Sequence, residues 1–367
     1  MNPDTAENHK NLAAEAVALL RRLIATPSFS REEAGTAVLL ESFFQEKGIP
    51  AQRLQNNVWA RNRYFDASKP TVLLNSHHDT VKPNAGYTRD PFAADIVDGK
   101  LYGLGSNDAG GPLVSLLAAF LYFYERKDLS FNLLYAATAE EEISGKNGVE
   151  LLLPELGRID CAIVGEPTQM HMAVAEKGLM VLDCTTHGQS GHAAREEGDN
   201  ALYKALADID WFRHYRFPNV SELLGPVKMS VTIIQAGTQH NVVPDTCRFT
   251  VDVRVNELYT LEEVLETVRA NVQAEVVPRS LRIRSTGIAP EHPLVRAGVA
   301  LGRSSYGSPT TSDKALMPFP ALKMGPGDSA RSHTADEFIF LEEIENGIEG
   351  YVGLLGNFDL MMMKVGL

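Results

Sequence analysis

The chain has 367 residues, more than one hydrophobic core usually organises, so two domains are expected. Apolar residues make up 44% and charged residues 22%, which excludes a disordered or fibrous chain. A net charge of −13 argues against a nucleic-acid partner, and the longest apolar run, LVSLLAAFLYF, is too short to span a membrane.

The opening MNPDTAENHK has no basic leader followed by an apolar segment, so no signal peptide is expected. Next, NLAAEAVALLRRLIA and TAVLLESFFQEKG repeat apolar residues at helical steps, the second stopping at Gly48. TVLLNS reads as a buried strand, GGPLVSLLAAFLYFYERK as a long apolar helix, and FNLLYAAT and DCAIVG as two further strands. Strands alternating with helices predict an α/β fold, a mostly parallel sheet flanked by helices. From Lys177 the texture changes: GLMVLDCTTHG, VKMSVTIIQAG and CRFTVDVRVN read as alternating strands, separated by helical segments around NALYKALADIDWFRHY and TLEEVLETVRANVQ. The pattern is strand, helix, strand, strand, helix, strand, and it ends by LRIRSTG. That order predicts an inserted α+β sandwich over 177–286, with 1–176 and 287–367 forming the first domain. FPALKMGPG and LEEIENGIEGYVGLLGNF then close the first domain as strand and helix. Cys161, Cys184 and Cys247 lie scattered in strand-like contexts without the paired spacing of a zinc–thiolate site. They are expected to be buried free thiols in a cytoplasmic protein.

Chemistry follows the apolar strands. TVLLNS is followed by His77, His78 and Asp79, FNLLYAAT by Glu140, Glu141 and Glu142, and DCAIVG by Glu166. LYGLGSNDAGG brings Asp108 to the start of a helix, and ALKMGPGDSARSH ends in His333. In parallel sheets, ligands gather beyond the carboxyl ends of the strands. Taken singly, each corner has a plainer explanation: a wet loop histidine, helix-dipole charge at the glutamates, a turn at GEPT, a helix cap at Asp108. Together they supply imidazole and carboxylate without thiolate, which suits zinc or a similar divalent ion. Adjacent carboxylates also repel unless a cation neutralises them.

SHHDTV, LYGLGSNDAGG, TAEEEISG, VGEPT and GPGDSARSHTADEF, in this order over nearly the whole chain, resemble the signature motifs of the dinuclear zinc deacylase and exopeptidase family. That family includes acetylornithine deacetylase, succinyl-diaminopimelate desuccinylase and amino-acid carboxypeptidases. The resemblance implies a zinc-exopeptidase-like catalytic domain with an inserted lid or dimerisation domain, two Zn2+ ions that Co2+ could replace, and a homodimer through the inserted domain. It implies that His77 and Glu166 hold one metal, Glu142 and His333 the other, and Asp108 bridges both. Asp79 would orient His77, Glu141 would be the general base, and His78 and Glu140 receive no role. HGQSGHAA is similar to the family segment whose histidine reaches across a dimer to a partner's site, which maps to His192. QHNVVPDTC gives Asn241 and VDVRV gives Arg254 as substrate-binding candidates, with Lys177 and Thr311 at lower weight. GDSARSHTADEF and the compact length look closest to acetylornithine deacetylase, implying hydrolysis of N-acetyl- or N-succinylornithine in arginine biosynthesis. Alternatives are succinyl-diaminopimelate, acetylcitrulline or acetyl-lysine as substrate, or a dipeptidase or carboxypeptidase activity. GLGSND lacks the glycine pattern and Lys-Ser/Thr pair of a phosphate loop, and GQSGH lacks the spacing of a nucleophile elbow.

Overall fold

The computed structural model describes residues 3–365. In chain order its main elements are α1 (Pro3–Ile24), α2 (Ala34–Glu46), β1 (Ala51–Leu54), β2 (Asn57–Arg61), β3 (Thr71–His77), α3 (Gly111–Phe123), β4 (Asn132–Thr138), α4 (Val149–Leu156), β5 (Cys161–Val164) and β6 (Met172–Glu176). There follow β7 (Gly178–His187), α5 (Ala201–His214), β8 (Lys228–Ala236), β9 (Thr246–Val255), α6 (Leu261–Asn271), β10 (Glu275–Pro278), α7 (Pro293–Ala300), β11 (Ala321–Lys323) and α8 (Leu341–Val365).

The chain divides into two compact units. One holds the residues up to Val174, Ile288–Tyr306 and the residues from Ser312 on; the other holds Ala175–Gly287 with Gly307–Thr311. Gly307–Thr311, which the sequence reading gives to the first domain, goes with the second unit.

In the first unit the strands run in the order β1-β2-β4-β3-β5-β11-β6. The central pairs β4/β3, β3/β5 and β5/β11 are parallel, and antiparallel strands flank them. Every residue of β3 and β4 is buried, as both faces of a parallel sheet must be when helices cover them. α3 is apolar all round because it is enclosed, packing on α1, α8 and β3. The register places His77 opposite Thr138, and Asn75 opposite Val164. The segments that leave β3, β4 and β5 therefore emerge from one edge of the sheet.

The second unit is an antiparallel sheet in the order β8-β9-β7-β10 with α5 and α6. Along β7 and β9, buried residues alternate with more exposed ones, the period-two signature of a sheet with one covered face. Phe212, Phe249, Val251 and Val264 lie in its core. The N-terminus of α6 closes with a capping box between Thr260 and Glu263. All three cysteines are free and buried, and burial pushes the Cys161 and Cys184 thiols up to about 12. Among the described residues, no helix is long and apolar enough to cross a membrane.

Candidate metal centre

β3 carries His77 to the carboxyl edge of the sheet, where its ring is 1% exposed. Its Nδ1 lies 3.0 Å from the Asp79 carbonyl and 3.4 Å from the Asp79 carboxylate. A carbonyl only accepts, so Nδ1 carries a proton and Nε2 faces the carboxylates beyond the strand. That Nε2 is 3.2 Å from Asp108 Oδ1, 3.8 Å from Glu166 Oε1 and 3.9 Å from Glu141 Oε2. His333, on the segment after β11, places Nε2 2.9 Å from Glu142 Oε2 and 3.8 Å from Asp108 Oδ2. Asp108 thus lies between the two imidazoles.

Each side chain reaches this position for a local reason. The backbone at Asp108 is not helical (φ −118°, ψ 99°), and α3 begins only at Gly111, so Asp108 is not a simple helix cap. The buried carboxylate of Glu337 accepts the N–H groups of Gly105, Asn107 and Asp108 at 2.8–2.9 Å and fixes that loop. Glu141–Ile143 is a single 3₁₀ turn, well before α4, so the glutamates do not serve a helix dipole. Their backbone is held by Asp79, whose Oδ1 and Oδ2 accept from Glu141 N at 3.0 Å and Glu142 N at 3.2 Å. Gly165 lets the chain pass close to α3: a Cβ there would meet Leu116 Cδ1 at 2.6 Å. The next residue is Glu166.

The donor set fits divalent cations. Ligand atoms of His77, Asp108 and Glu142 lie within 4.8 Å of one another, and so do those of His77, Glu141 and Glu166. Four carboxylates and the His77 imidazole crowd into mostly buried space, with the half-exposed His333 at its rim, an arrangement that calls for compensating positive charge. The proton affinities express the same demand. Burial, with Glu166, Asp313 and Glu142 adding repulsion, holds Glu141 well above the usual carboxylate range. Burial also raises Glu142, and Asp108 adds to that effect. Burial opposes charge on His77, yet Glu141, Asp108, Asp79 and Glu166 outweigh it and raise its pKa well above the ordinary value. The hydrogen bond to Glu142 pushes His333 up to about 9. Divalent cations would take the place of those protons.

The neighbouring residues of the motifs turn elsewhere. His78 is buried with Nδ1 2.8 Å from Thr36 Oγ1 and Nε2 donating to the Asn56 carbonyl at 2.8 Å. Glu140, in a left-handed backbone conformation (φ 55°), accepts from Asn147 Nδ2 at 2.8 Å. The remaining sequence candidates belong to the second unit. His192 is exposed, and its partner strand segment begins next to Asn241, whose carbonyl accepts from Ala193 N at 3.0 Å. Arg254 is gripped by Asp252 at 2.8 and 3.1 Å and donates to Thr311 Oγ1 at 3.1 Å. Lys177 is buried, donating to the Pro226 carbonyl at 2.6 Å. Sequence reasoning missed Glu337, although it stands inside the quoted GPGDSARSHTADEF segment. Asp313, in the same turn as Thr311 and with it a lower-weight substrate candidate of the sequence reading, receives no part in the metal centre there. Asp313 is buried, accepts from the Thr138 hydroxyl at 2.6 Å, and is pushed by burial to about 6.

The fold and the His/Asp/Glu centre together define a metal-dependent hydrolase of the two-unit peptidase type. Residues 73–357 match the family model described as peptidase family M20/M25/M40, and the chain belongs to that family. Succinyl-diaminopimelate desuccinylase from Corynebacterium glutamicum is 29% identical over 357 residues, covering 91% of this chain and 94% of that protein. The desuccinylase of Cereibacter sphaeroides is 30% identical over 281 residues, 71% of this chain and 74% of that one. Among solved structures, an M20 family metallo-carboxypeptidase from Sulfolobus solfataricus superposes with a TM-score of 0.77 at 16% identity, over 94% of this chain and 99% of that one. A dinuclear metal-binding M20 peptidase from Bacillus subtilis gives 0.70 at 18% identity, over 96% and 99%. At these identities the structural likeness concerns the fold.

Proposed function

We propose that this protein is a two-zinc amidohydrolase that removes the acyl group from an N-acyl amino acid, with N-succinyl-diaminopimelate as the first substrate to test. The observation that carries the reading is the convergence of His77, Asp108, Glu141, Glu142, Glu166 and His333 at one sheet edge. The named curated relatives are desuccinylases, so this alternative of the sequence reading has more support than its first choice, N-acetylornithine.

His77, Asp108 and Glu166 would hold one ion and Asp108, Glu142 and His333 the other; Co2+ suits the same donors. Such cations polarise an amide carbonyl and acidify water. Glu141 then accepts a proton from the attacking water at a carboxylate oxygen and delivers it to the nitrogen of the departing amine. Its burial, which raises its affinity for that proton, suits the task. Asp79 keeps the proton on His77 Nδ1 and anchors the backbone of both glutamates. His192 would stabilise the oxyanion from a partner subunit, and Asn241, Arg254, Lys177 and Thr311 would face the substrate's polar groups. A homodimer through the second unit is supported by exposed Ile233 and Ile234 on edge strand β8, and by exposed Tyr203 and Leu206 on α5. The three reduced, buried thiols accord with a cytoplasmic location.

The test is a rate panel with added Zn2+ or Co2+: succinyl-diaminopimelate, succinylornithine, acetylornithine, acetylcitrulline, acetyl-lysine and dipeptides, alongside elemental analysis. The expected result is about two ions per chain and highest kcat/KM on the succinylated diamino acid. Preference for acetylornithine would restore the first sequence choice, and fastest turnover of dipeptides would make the protein a peptidase. Full hydrolysis after chelation would remove the metal reading altogether.

A further inference from the structure

Four consecutive backbone N–H groups in the turn after β4 donate to side-chain oxygens. Ala139 N reaches Asn57 Oδ1 at 3.0 Å, Glu140 N reaches Glu33 Oε1 at 3.2 Å, and Glu141 and Glu142 reach the two oxygens of Asp79. Asp79 belongs to the motif already described; Glu33 does not. It immediately precedes α2 and is fully buried.

The partners of Glu33 define what it does. Oε1 accepts from Arg31 N at 2.6 Å as well as from Glu140 N, and Oε2 accepts from Asn56 Nδ2 at 2.8 Å. All three are donors. The Asn56 amide is held in this orientation because Arg53 Nη2 donates to its Oδ1 at 3.2 Å. An ionised carboxylate, which only accepts, satisfies every partner; an amide at the same place would set N–H against N–H. From the same segment, Ser30 Oγ donates to Asp79 Oδ2 at 2.7 Å, so residues 30–33 brace both anchors of the turn.

We propose that Glu33 is a positioning residue of the hydrolase, fixing the Glu140 N–H so that Glu141 and Glu142 leave the turn toward His77 and His333. The left-handed conformation of Glu140 is central to this. It turns its side chain back to Asn147, while those of the next two residues reach the imidazoles. A residue other than glycine or asparagine holds that conformation only where its surroundings enforce it, and the bond from Glu140 N to Glu33 is one of the enforcing contacts. Misplacing a base by about 1 Å is enough to cost on the order of 100-fold in rate. The proposal rests on the reading of Glu141 as base and Glu142 as ligand.

The experiment uses the full chain loaded with zinc and compares wild type, Glu33→Gln, Glu33→Ala and a control, Glu32→Gln, at the exposed neighbouring position. Three quantities are read: kcat and KM separately, zinc content, and amide hydrogen exchange in peptides covering 139–148 and, for comparison, the strands of the sheet including β3 and β5. For Glu33→Gln we expect kcat to fall about 10- to 100-fold with KM within about threefold. Zinc stoichiometry should be retained, and exchange should quicken in the 139–142 turn but not in β3 or β5. The control should match wild type in all three. Unchanged exchange in the turn, or wild-type kcat despite quicker exchange, would overturn the proposal. So would exchange quickened throughout the sheet, which marks a general structural role. If Glu33→Ala does not fold, the isosteric Gln variant carries the test. The exchange readout needs no turnover, so it still decides the role of Glu33 if the assigned reaction proves wrong.

Discussion

The two units treat their candidate residues in opposite ways. In the first, Asp79, Asp108, Glu142 and Glu166 are mostly enclosed among backbone N–H groups and imidazoles and costly to bury without a cation, with His333 half-exposed beside them. In the second, His192 and Asn241 are exposed, and Arg254 and Lys177 are occupied by partners of their own unit. A centre that must stabilise developing charge is built in advance, because ordering it during the reaction would raise the barrier. Groups that recognise a substrate can be completed when it binds. On the proposed assignment, the metal centre is fixed in advance, whereas His192 and the substrate-facing candidates come into place only when partner subunit and substrate do.

The most forceful way to break that comparison is Glu141→Gln. It leaves the side-chain volume and the Asp79 bonds to the backbone in place and removes only the capacity to take a proton. Turnover should fall about 100- to 10,000-fold while zinc content stays at the wild-type level. Single-turnover rates with metal analysis check this, and loss of an ion would reassign Glu141 as a ligand. The geometry makes that a sharp test, since Glu141 and Glu166 lie almost equally far from His77 Nε2, at 3.9 and 3.8 Å. Next in size is His192→Gln, expected to lower kcat about 100- to 1,000-fold without releasing metal. Mixing the inactive His192→Gln and Glu141→Gln chains should recover part of the activity in hybrid dimers. No recovery, with subunit exchange verified, would put His192 outside the partner's site.

The His/Asp/Glu cluster was legible in the sequence because parallel strands buried on both faces read as unbroken apolar runs, such as TVLLNS and FNLLYAAT, and their polar ends are easy to see. What escaped was the bracing. Glu33, Asn57 and Glu337 act through bonds to backbone N–H groups 82 to 232 positions away, and only the strand register reveals which N–H they meet. Asp108 was legible as a residue but not as a conformation, since GSNDAGG reads equally well as a helix start. The occupied fork of Arg254 was within reach: Asp252 stands two positions earlier on the same strand, hence on the same face.

That fork gives a smaller test. If Arg254 receives a substrate carboxylate, it must share or release Asp252, and a lysine point charge cannot hold both in the same geometry. Arg254→Lys should then raise KM about tenfold with kcat little changed, a cost of about 1.4 kcal/mol in binding. An unchanged KM accompanied by a lower Tm would make the residue a brace between Asp252 and Thr311, widening the contrast between the units.

The last expected effect is on stability rather than turnover and falls within the first unit, at the histidine adjacent to His77. Burial lowers the pKa of His78 from 6.5 to about 4, outweighing the hydrogen bond to Asn56 and the nearby Asp79 charge, both of which favour the protonated ring. In the unfolded chain the same ring titrates near its ordinary value. Between these two values the unfolded state binds the extra proton, so the contribution of His78 is complete above about pH 6.5 and is lost as pH falls toward 4. The linkage amounts to about 3 kcal/mol at most. His78→Gln removes the titrating group, though it also disturbs the contacts to Thr36 and Asn56 and so destabilises at every pH. The informative quantity is therefore the difference in unfolding free energy between wild type and variant, followed from pH 7 to pH 4 by denaturant titration. Common effects, including loss of metal in acid, cancel in that difference to first order. It should shrink on acidification, because only the wild type carries the penalty of a ring kept neutral. A difference that stays constant with pH would mean that His78 binds its proton equally well in the folded and unfolded chain, and the division of labour between His77 and His78 would have to be redrawn.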